Sequence, residues 1–293
     1  MEMLMLLMTG ANGKLGRLIV EELLRRAPQS ELAVSVRDPA GAKDLAERGV
    51  EVRRGDYDTP DTLHQAFQGV DRLLLMPTPT LDPGRRAAQH KAAVDAAAEA
   101  GVGHIVYPSV HAVDKFDMPL LAAHAETERA IQASGVQWTM LRNAIYAEVV
   151  AGDVVAAIHA GELAAPAADA VVAPVLRRDV AVAAAVTLLG TGHQGRVYEL
   201  TAPDTVSWQQ LAQLAGAKAG RTIPYRPISD DEAMSRALQA GVPPEHLGIV
   251  IGFYDAYRQG WCGTPSTDFQ TLTGAPAATA IDAIEAIVNG TAH

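Results

Sequence analysis

The chain has 293 residues, 48% of them hydrophobic, and a formal charge of −10. That is apolar material enough for one large α/β domain or two smaller ones, and it argues against disorder. The acidic balance excludes a broad nucleic-acid face, and a single cysteine, Cys262, excludes an internal disulfide or a cysteine-based metal cluster. Cys262 reads as a packed, inert thiol. The N-terminal apolar run is too short for a signal peptide or a membrane span and lacks a basic leader, and no later run is long enough to cross a bilayer. A cytoplasmic protein that does not enter a membrane is expected.

Taken in order, the chain opens on an apolar run, Leu4 to Met8, then Gly10-Ala11-Asn12-Gly13-Lys14-Leu15-Gly16, then a helical period over Leu15 to Arg26. Strand, glycine turn and helix leave free backbone N–H groups at a helix start, where the dipole favours an anion. Such a turn after a first strand commonly seats a dinucleotide pyrophosphate, although the spacing here is G-x-x-G-x-x-G. Strands follow at Leu32–Val36, Val50–Arg53, Val70–Met76, His104–Tyr107 and Val136–Leu141. Helices alternate with them at Pro39–Arg48, Thr59–Phe67, Arg85–Ala100 and Leu120–Ala133. This rhythm predicts βαβ units and a doubly wound, Rossmann-type parallel sheet.

From about residue 150 the rhythm breaks. Helices are expected at Ala151–Ala160, Arg178–Leu189, Ser207–Ala219, Ser229–Ala240, from Pro243-Pro244 onward and at Ala280–Asn289. Val197–Leu200 reads as a strand able to join the sheet, Thr222–Arg226 as another, and the Ala/Pro/Val-rich stretch from Ala164 to Ala173 has no clear pattern. The expected organisation is a core at 1–150, with 175–202 returning to it, and a smaller, mostly helical lobe at 151–174 and 203–293.

In an open parallel sheet the ligand lies at the carboxyl ends of the strands. Those ends carry Gly10, Asn12, Gly13, Lys14 and Leu15, then Arg37, then Asp56 and Tyr57, then Met76, Pro77 and Thr78, then Pro108, Ser109 and His111, and finally Asn143 and Tyr146. Arg37 stands where an NAD site usually holds an acid, and a guanidinium suits a 2′-phosphate. Asp38 reads better as the cap of a helix that begins with Pro39. Lys43 reads as a solvated surface lysine, and Asp56 as either an adenine-end contact or a turn residue. NADPH is therefore the expected cofactor. The usual reductase pair, a tyrosine four residues before a lysine, is absent: none of the five lysines (Lys14, Lys43, Lys91, Lys115, Lys218) has one. His111 precedes Lys115 by four residues, but on an expected loop. His124 and Glu128 share a helix face, so His124 is a candidate proton donor, against the plainer reading of a partly buried histidine with a carboxylate neighbour. No cluster has metal-ligand spacing.

Together the glycine loop, Val36-Arg37-Asp38-Pro39, Gly55-Asp56-Tyr57, His124-Ala125-Glu126-Thr127-Glu128, Leu141-Arg142-Asn143-Ala144-Ile145-Tyr146, Arg177-Arg178-Asp179 and Phe253-Tyr254-Asp255-Ala256 resemble the NmrA-like atypical short-chain dehydrogenase/reductases. Within them the chain is similar to type-two NADPH:quinone oxidoreductases and triphenylmethane reductase. The resemblance implies a Rossmann core holding NADPH and a C-terminal lobe closing a substrate cleft. It implies Arg37 at the 2′-phosphate, Asn12 to Leu15 at the pyrophosphate, and Asn143 and Tyr146 near the nicotinamide. It places His124 where isoflavone-reductase-like relatives carry a catalytic lysine. The expected activity is hydride transfer to a quinone or similar conjugated, electron-poor acceptor, with His124 and Tyr146 as catalytic candidates and His111 and Tyr146 on the substrate side. The expected partner is that small-molecule acceptor, and a homodimer is left open. Two alternatives remain: a dinucleotide sensor without turnover, and a biosynthetic reductase of an imine, enone or ketone. Pro77, Pro79 and Pro108 depart from the small polar residues usual in those loops and stiffen them.

Overall fold

A computed structural model describes residues 4–116 and 118–291. In chain order the first elements are β1 (Leu6–Thr9), α1 (Lys14–Arg26), β2 (Leu32–Val36), α2 (Lys43–Glu47), β3 (Glu51–Arg54), α3 (Pro60–Phe67), β4 (Arg72–Leu74), α4 (Pro83–Glu99), β5 (His104–Val110), α5 (Pro119–Ala133) and β6 (Gln137–Asn143). There follow α6 (Ala147–Ala160), β7 (Leu163–Ala165), β8 (Val171–Val172), α7 (Arg177–Leu189), β9 (Arg196–Leu200), β10 (Val206–Ser207), α8 (Trp208–Ala219), β11 (Tyr225–Pro227), α9 (Asp230–Gln239), α10 (Pro244–Arg258), α11 (Asp268–Thr273) and α12 (Ala280–Val288). The chain forms two compact units. One comprises 1–143, 177–199 and 271–274, the other 144–176, 200–270 and 275–293.

The first unit carries a seven-stranded sheet in the order β3-β2-β1-β4-β5-β6-β9, with parallel pairing from β3 through β6. The order reverses between β1 and β4, which is where such sheets open a crevice for ligands. Leu7, Leu73, Ile105, Tyr107 and Met140 project from one face onto Phe67, Val94, Ala97 and Ile131. These strands read as near-continuous apolar runs because both faces are covered. On the second face α7, distant in sequence, packs beside α1.

Several boundaries differ from the pattern-based expectation for identifiable reasons. The helix expected over Pro39–Arg48 is a 3-10 turn at Pro39–Ala42 followed by the short α2. Asp38 does cap it, accepting from the Ala40 amide at 3.0 Å. Helix α4 starts at Pro83, two residues before the expected Arg85, because Asp82 accepts from the Arg85 amide at 2.6 Å and a proline fits the first turn. Strand β4 is shorter than Val70–Met76. Strand β5 runs on to Val110 and includes Pro108, Ser109 and Val110, which were expected in a loop. Pro108 is tolerated because β4 pairs β5 only from His104 to Val106, so its missing N–H faces no ladder bond.

The second unit is mainly helical. Its short strands pair as β7 with β11, parallel, and β8 with β10, antiparallel, giving structure to the stretch Ala164–Ala173. Ser207 caps α8 in a full capping box with Gln210, and Ser229 caps α9. Among the described residues no helix is long and apolar enough to cross a membrane.

Candidate active site

The glycine turn is built by backbone geometry that side chains would block. Gly10 has φ +68°, a left-handed conformation that favours glycine, and its carbonyl accepts from the Gly13 amide at 3.0 Å. A Cβ on Gly16 would lie 2.2 Å from the Gly10 oxygen and 3.1 Å from Ala11 Cα. Only glycine lets α1 start this close to the end of β1. Gly13 is the N-cap and offers no side-chain acceptor, so the first amides of α1 stay available to an outside anion. The chain therefore has the cradle that a dinucleotide pyrophosphate needs.

Around the cradle, Arg17 is a residue that the sequence pattern did not single out. It bonds Asn12 Oδ1 at 2.8 Å, the Gly41 carbonyl at 3.1 Å and Asp44 at 2.5 Å. It thereby clamps the glycine loop to the segment after β2. One turn of helix beyond Gly13, an arginine looks like any surface charge in the sequence. Arg37, at the end of β2, is exposed and makes no salt bridge among the described residues. Lys14 is exposed at the start of α1, and Leu15 is buried behind it.

The ends of β1, β3 and β4 are tied together. The Tyr57 hydroxyl donates to the Met76 carbonyl at 2.6 Å and meets Thr9 Oγ1 at 2.8 Å, and Thr9 Oγ1 accepts from the Met76 amide at 2.8 Å. Asp56 Oδ1 accepts from the Asp58 amide at 3.1 Å, as a turn residue does. Tyr57 and Asp56 thus fix the loop that Met76 and Pro77 enter.

Behind that loop lies a buried polar cluster from α4, β5 and α5. Thr127 Oγ1 donates to the Ala123 carbonyl at 2.7 Å, so it accepts from His90 Nδ1 at 2.8 Å; His90 Nε2 then accepts from the Thr78 amide at 2.9 Å. His90 is neutral and fully committed, with burial and nearby Arg86 pushing its pKa down to about 3. Tyr107 OH and His124 Nδ1 share a bond of 2.8 Å. His124 is 4% exposed, and burial, then Arg86 and His90, hold its imidazole well below the ordinary range. Its Nε2 has no hydrogen-bond partner among the described residues. Glu128 does not pair with His124. It is taken by Arg142, whose Nε and Nη2 reach it at 3.0 and 2.7 Å. The i, i+4 spacing of His124 and Glu128 therefore reflects a shared helix face rather than a shared proton.

Two buried polar atoms at the ends of β5 and β6, Ser109 Oγ and Asn143 Oδ1, lack partners among the described residues. His111 Nδ1 bonds Glu199 Oε2 at 2.7 Å, which ties the β5 end to β9. Tyr146 belongs to the second unit, where it is the N-cap of α6 and bridges to Val175. Pro108 lies within β5. A recess of about 610 Å³ opens between α5, Phe116 and Arg142, but none of the residues expected at the cofactor lines it. Among the described residues no His, Cys, Asp and Glu set could hold a metal.

The model of the NmrA-like family matches residues 4–252. Quinone oxidoreductase 2 of Escherichia coli K12 is 32% identical, covering 97% of this chain and 99% of its own. A (4-alkanoyl-5-oxo-2,5-dihydrofuran-3-yl)methyl phosphate reductase of Streptomyces griseus is 34% identical over 93% and 94% of the two chains. The crystal structure of Citrobacter sp. triphenylmethane reductase complexed with NADP(H) superposes with a TM-score of 0.91 at 32% identity, covering 98% of this chain and 99% of the other. The chain belongs to the NmrA-like family.

Proposed function

We propose that this protein is an NADPH-dependent oxidoreductase that passes hydride to a quinone or a similar conjugated, electron-poor acceptor without a tyrosine–lysine pair. The observation that carries the reading is Arg37: an exposed guanidinium with no salt bridge among the described residues, at the end of the strand beside the glycine cradle. The likeness to E. coli quinone oxidoreductase 2 and to a reductase crystallised with NADP(H) supports it.

NADPH, when bound, supplies the hydride. The first amides of α1 and the clamped Asn12 would hold its pyrophosphate, and Arg37 its 2′-phosphate. Asn143, with an unpartnered buried oxygen, would accept from its carboxamide. The chain's remaining task is to position the acceptor and exclude water. A quinone suits this site because its reduced oxygens take protons from water. His124 is held neutral, so it serves as a hydrogen-bonding group on the acceptor side rather than as an imidazolium acid. His111 and Tyr146 are the other acceptor-side candidates.

Replacing Arg37 by alanine should weaken NADPH binding by about 1.5–3 kcal/mol, roughly 10- to 150-fold, and leave NADH binding unchanged. Titration of both cofactors into wild type and variant measures this, and equal losses for the two would overturn the assignment. A second reading, dinucleotide sensing without turnover, draws on the same absence of a charged acid. It predicts NADPH binding with no NADPH oxidation by any quinone.

A further inference from the structure

We infer that Arg86, with Ser109 on the same face of the first unit, forms a site for the anionic oxygen that an acceptor carries once it has received hydride. This rests on the proposed reduction and adds the charge that meets its product.

Arg86 is a buried cation without an anion. It is 8% exposed, its Nη2 donates to the Thr78 carbonyl at 2.7 Å, and its Nε has no partner among the described residues. No carboxylate there pairs with it. The acids nearby are taken by its neighbour: Asp58 accepts from the Arg85 side chain at 2.8 and 3.3 Å, and Asp82 accepts from the Arg85 amide. Its own helix does not help, because Arg86 ends the first turn of α4, where the dipole favours negative charge. Burial pulls its pKa down, yet a guanidinium keeps its proton. One neutral carbonyl bond does not offset a buried charge, whereas an anion would.

The fold places this charge at the carboxyl edge of the sheet. Strands β4 and β5 are parallel, so α4, which joins them, starts over that edge. Arg86 stands one turn nearer the edge than His90, about 6 Å along the helix axis. Ser109 stands two residues beyond Tyr107 on β5, about 6.6 Å toward the same edge and on the same face of the strand. His90 and Tyr107 meet in the buried cluster, with ring centroids 6.0 Å apart. Arg86 and Ser109 therefore form the next layer outward, and Ser109 Oγ is also buried without a partner among the described residues. The Arg86 charge acts on His90, Tyr107 and His124 alike. A cation and a hydroxyl in this layer suit one anionic oxygen. A quinone that takes up hydride, two electrons with one proton, becomes a hydroquinone monoanion and leaves NADP+ behind. The monoanion then takes one proton from water. Its negative charge develops only as the hydride arrives, so Arg86 favours that state over the neutral quinone. If Arg86 served only to hold the Thr78 carbonyl, a neutral amide would do as well, and that difference provides the test.

Arg86→Gln keeps a donor and removes the charge, whereas Arg86→Lys keeps the charge. In anaerobic single turnover with naphthoquinone, Arg86→Gln should slow NADPH oxidation about a hundredfold and Arg86→Lys about tenfold or less, with the Kd for NADPH unchanged in both. A glutamine variant within a few-fold of wild type, a lysine variant as slow as the glutamine one, or a loss confined to NADPH affinity would overturn the inference. Titration of para-nitrophenol into the protein saturated with NADP+ gives a readout independent of turnover, because its yellow phenolate band reports ionisation. Bound to the wild type, the phenol should ionise about tenfold more readily than in water, and bound to Arg86→Gln no more readily than in water. A phenolate preference that Arg86→Gln abolishes supports the site even if no quinone is reduced, in which case only the proposed reduction fails. No binding, binding of the neutral phenol by the wild type, or equal ionisation in both proteins counts against the site whatever the activity. The wild-type titration and the lysine variant decide the matter if the glutamine variant does not fold.

Discussion

Between pH 7 and pH 5 the first unit should lose about 4 kcal/mol of stability through two buried histidines. His90 is 1% exposed and His104 is 4% exposed. Burial first, then Arg86 for His90 and Arg72 for His104, lowers their pKa values to about 3 and about 4. In the unfolded chain both take a proton near 6.5. The folded state therefore binds fewer protons as the pH falls. The stabilisation is complete above about pH 6.5 and is lost on the way down to the folded values. At pH 5 each histidine accounts for about 2 kcal/mol of loss. His124, also pushed down by burial, acts in the same direction. Asp153 in the second unit acts oppositely: its carboxyl, raised to about 6, takes its proton first in the folded state and returns about 1 kcal/mol at pH 5. Urea unfolding at the two pH values, with amide exchange to resolve the units, measures the loss. His104→Gln keeps a partner for Thr139, 2.9 Å from the ring nitrogen, and should remove about half of it. A variant with the wild-type pH slope would contradict the assignment.

Glu128→Ala should destabilise the first unit by about 3 kcal/mol, the lower end of the cost of leaving a buried charge without its partner. Glu128 is 4% exposed and holds the Arg142 side chain in a two-point fork. That fork raises the Arg142 pKa against burial, which lowers it. Glu199 at 3.3 Å and Asp114 at 3.5 Å remain after the substitution, which keeps the loss at the lower end. The fork also joins α5 to β6 next to Asn143, so NADPH affinity should fall with stability. Glu128→Gln, which keeps two polar atoms facing the guanidinium, should cost less than Glu128→Ala. An alanine variant within 1 kcal/mol of wild type in urea midpoints would show that Glu199 and Asp114 suffice.

Much of the fold is legible along the sequence because its signals are local. The glycine turn, the apolar runs of β1 and β2, the Asp38–Pro39 cap and the Ser207 capping box each depend on a few adjacent residues. The start of α4 is not legible in the sequence because Asp82 and Pro83 sit among Pro77 and Pro79, which read together as a loop. The length of β5 could not be read because Pro108 is acceptable only where β4 has ended, a fact about a neighbouring strand. The cluster of His90, Tyr107, His124 and Thr127 draws on three elements, so no spacing announces it. Glu128 lies one helical turn from His124, yet its partner comes from β6. Asp153, Trp208 and Tyr254 are spread over about a hundred residues and meet only when α6, α8 and α10 pack. A residue whose signal is its place after a strand, such as Arg37, is visible in sequence; side chains held by a distant partner are visible only once folded.

The proposed reaction is tested most directly by anaerobic single turnover: wild-type protein, one equivalent of NADPH and excess naphthoquinone, followed by nicotinamide absorbance from pH 6 to pH 8 and repeated with His124→Ala. Because His124 is neutral throughout this range, NADPH should be oxidised with one hydroquinone formed, at a rate nearly flat with pH, and His124→Ala should remain within a few-fold of wild type. Tight NADPH binding with no oxidation, or a rate that collapses in His124→Ala, would contradict hydride transfer to a quinone without a side-chain acid.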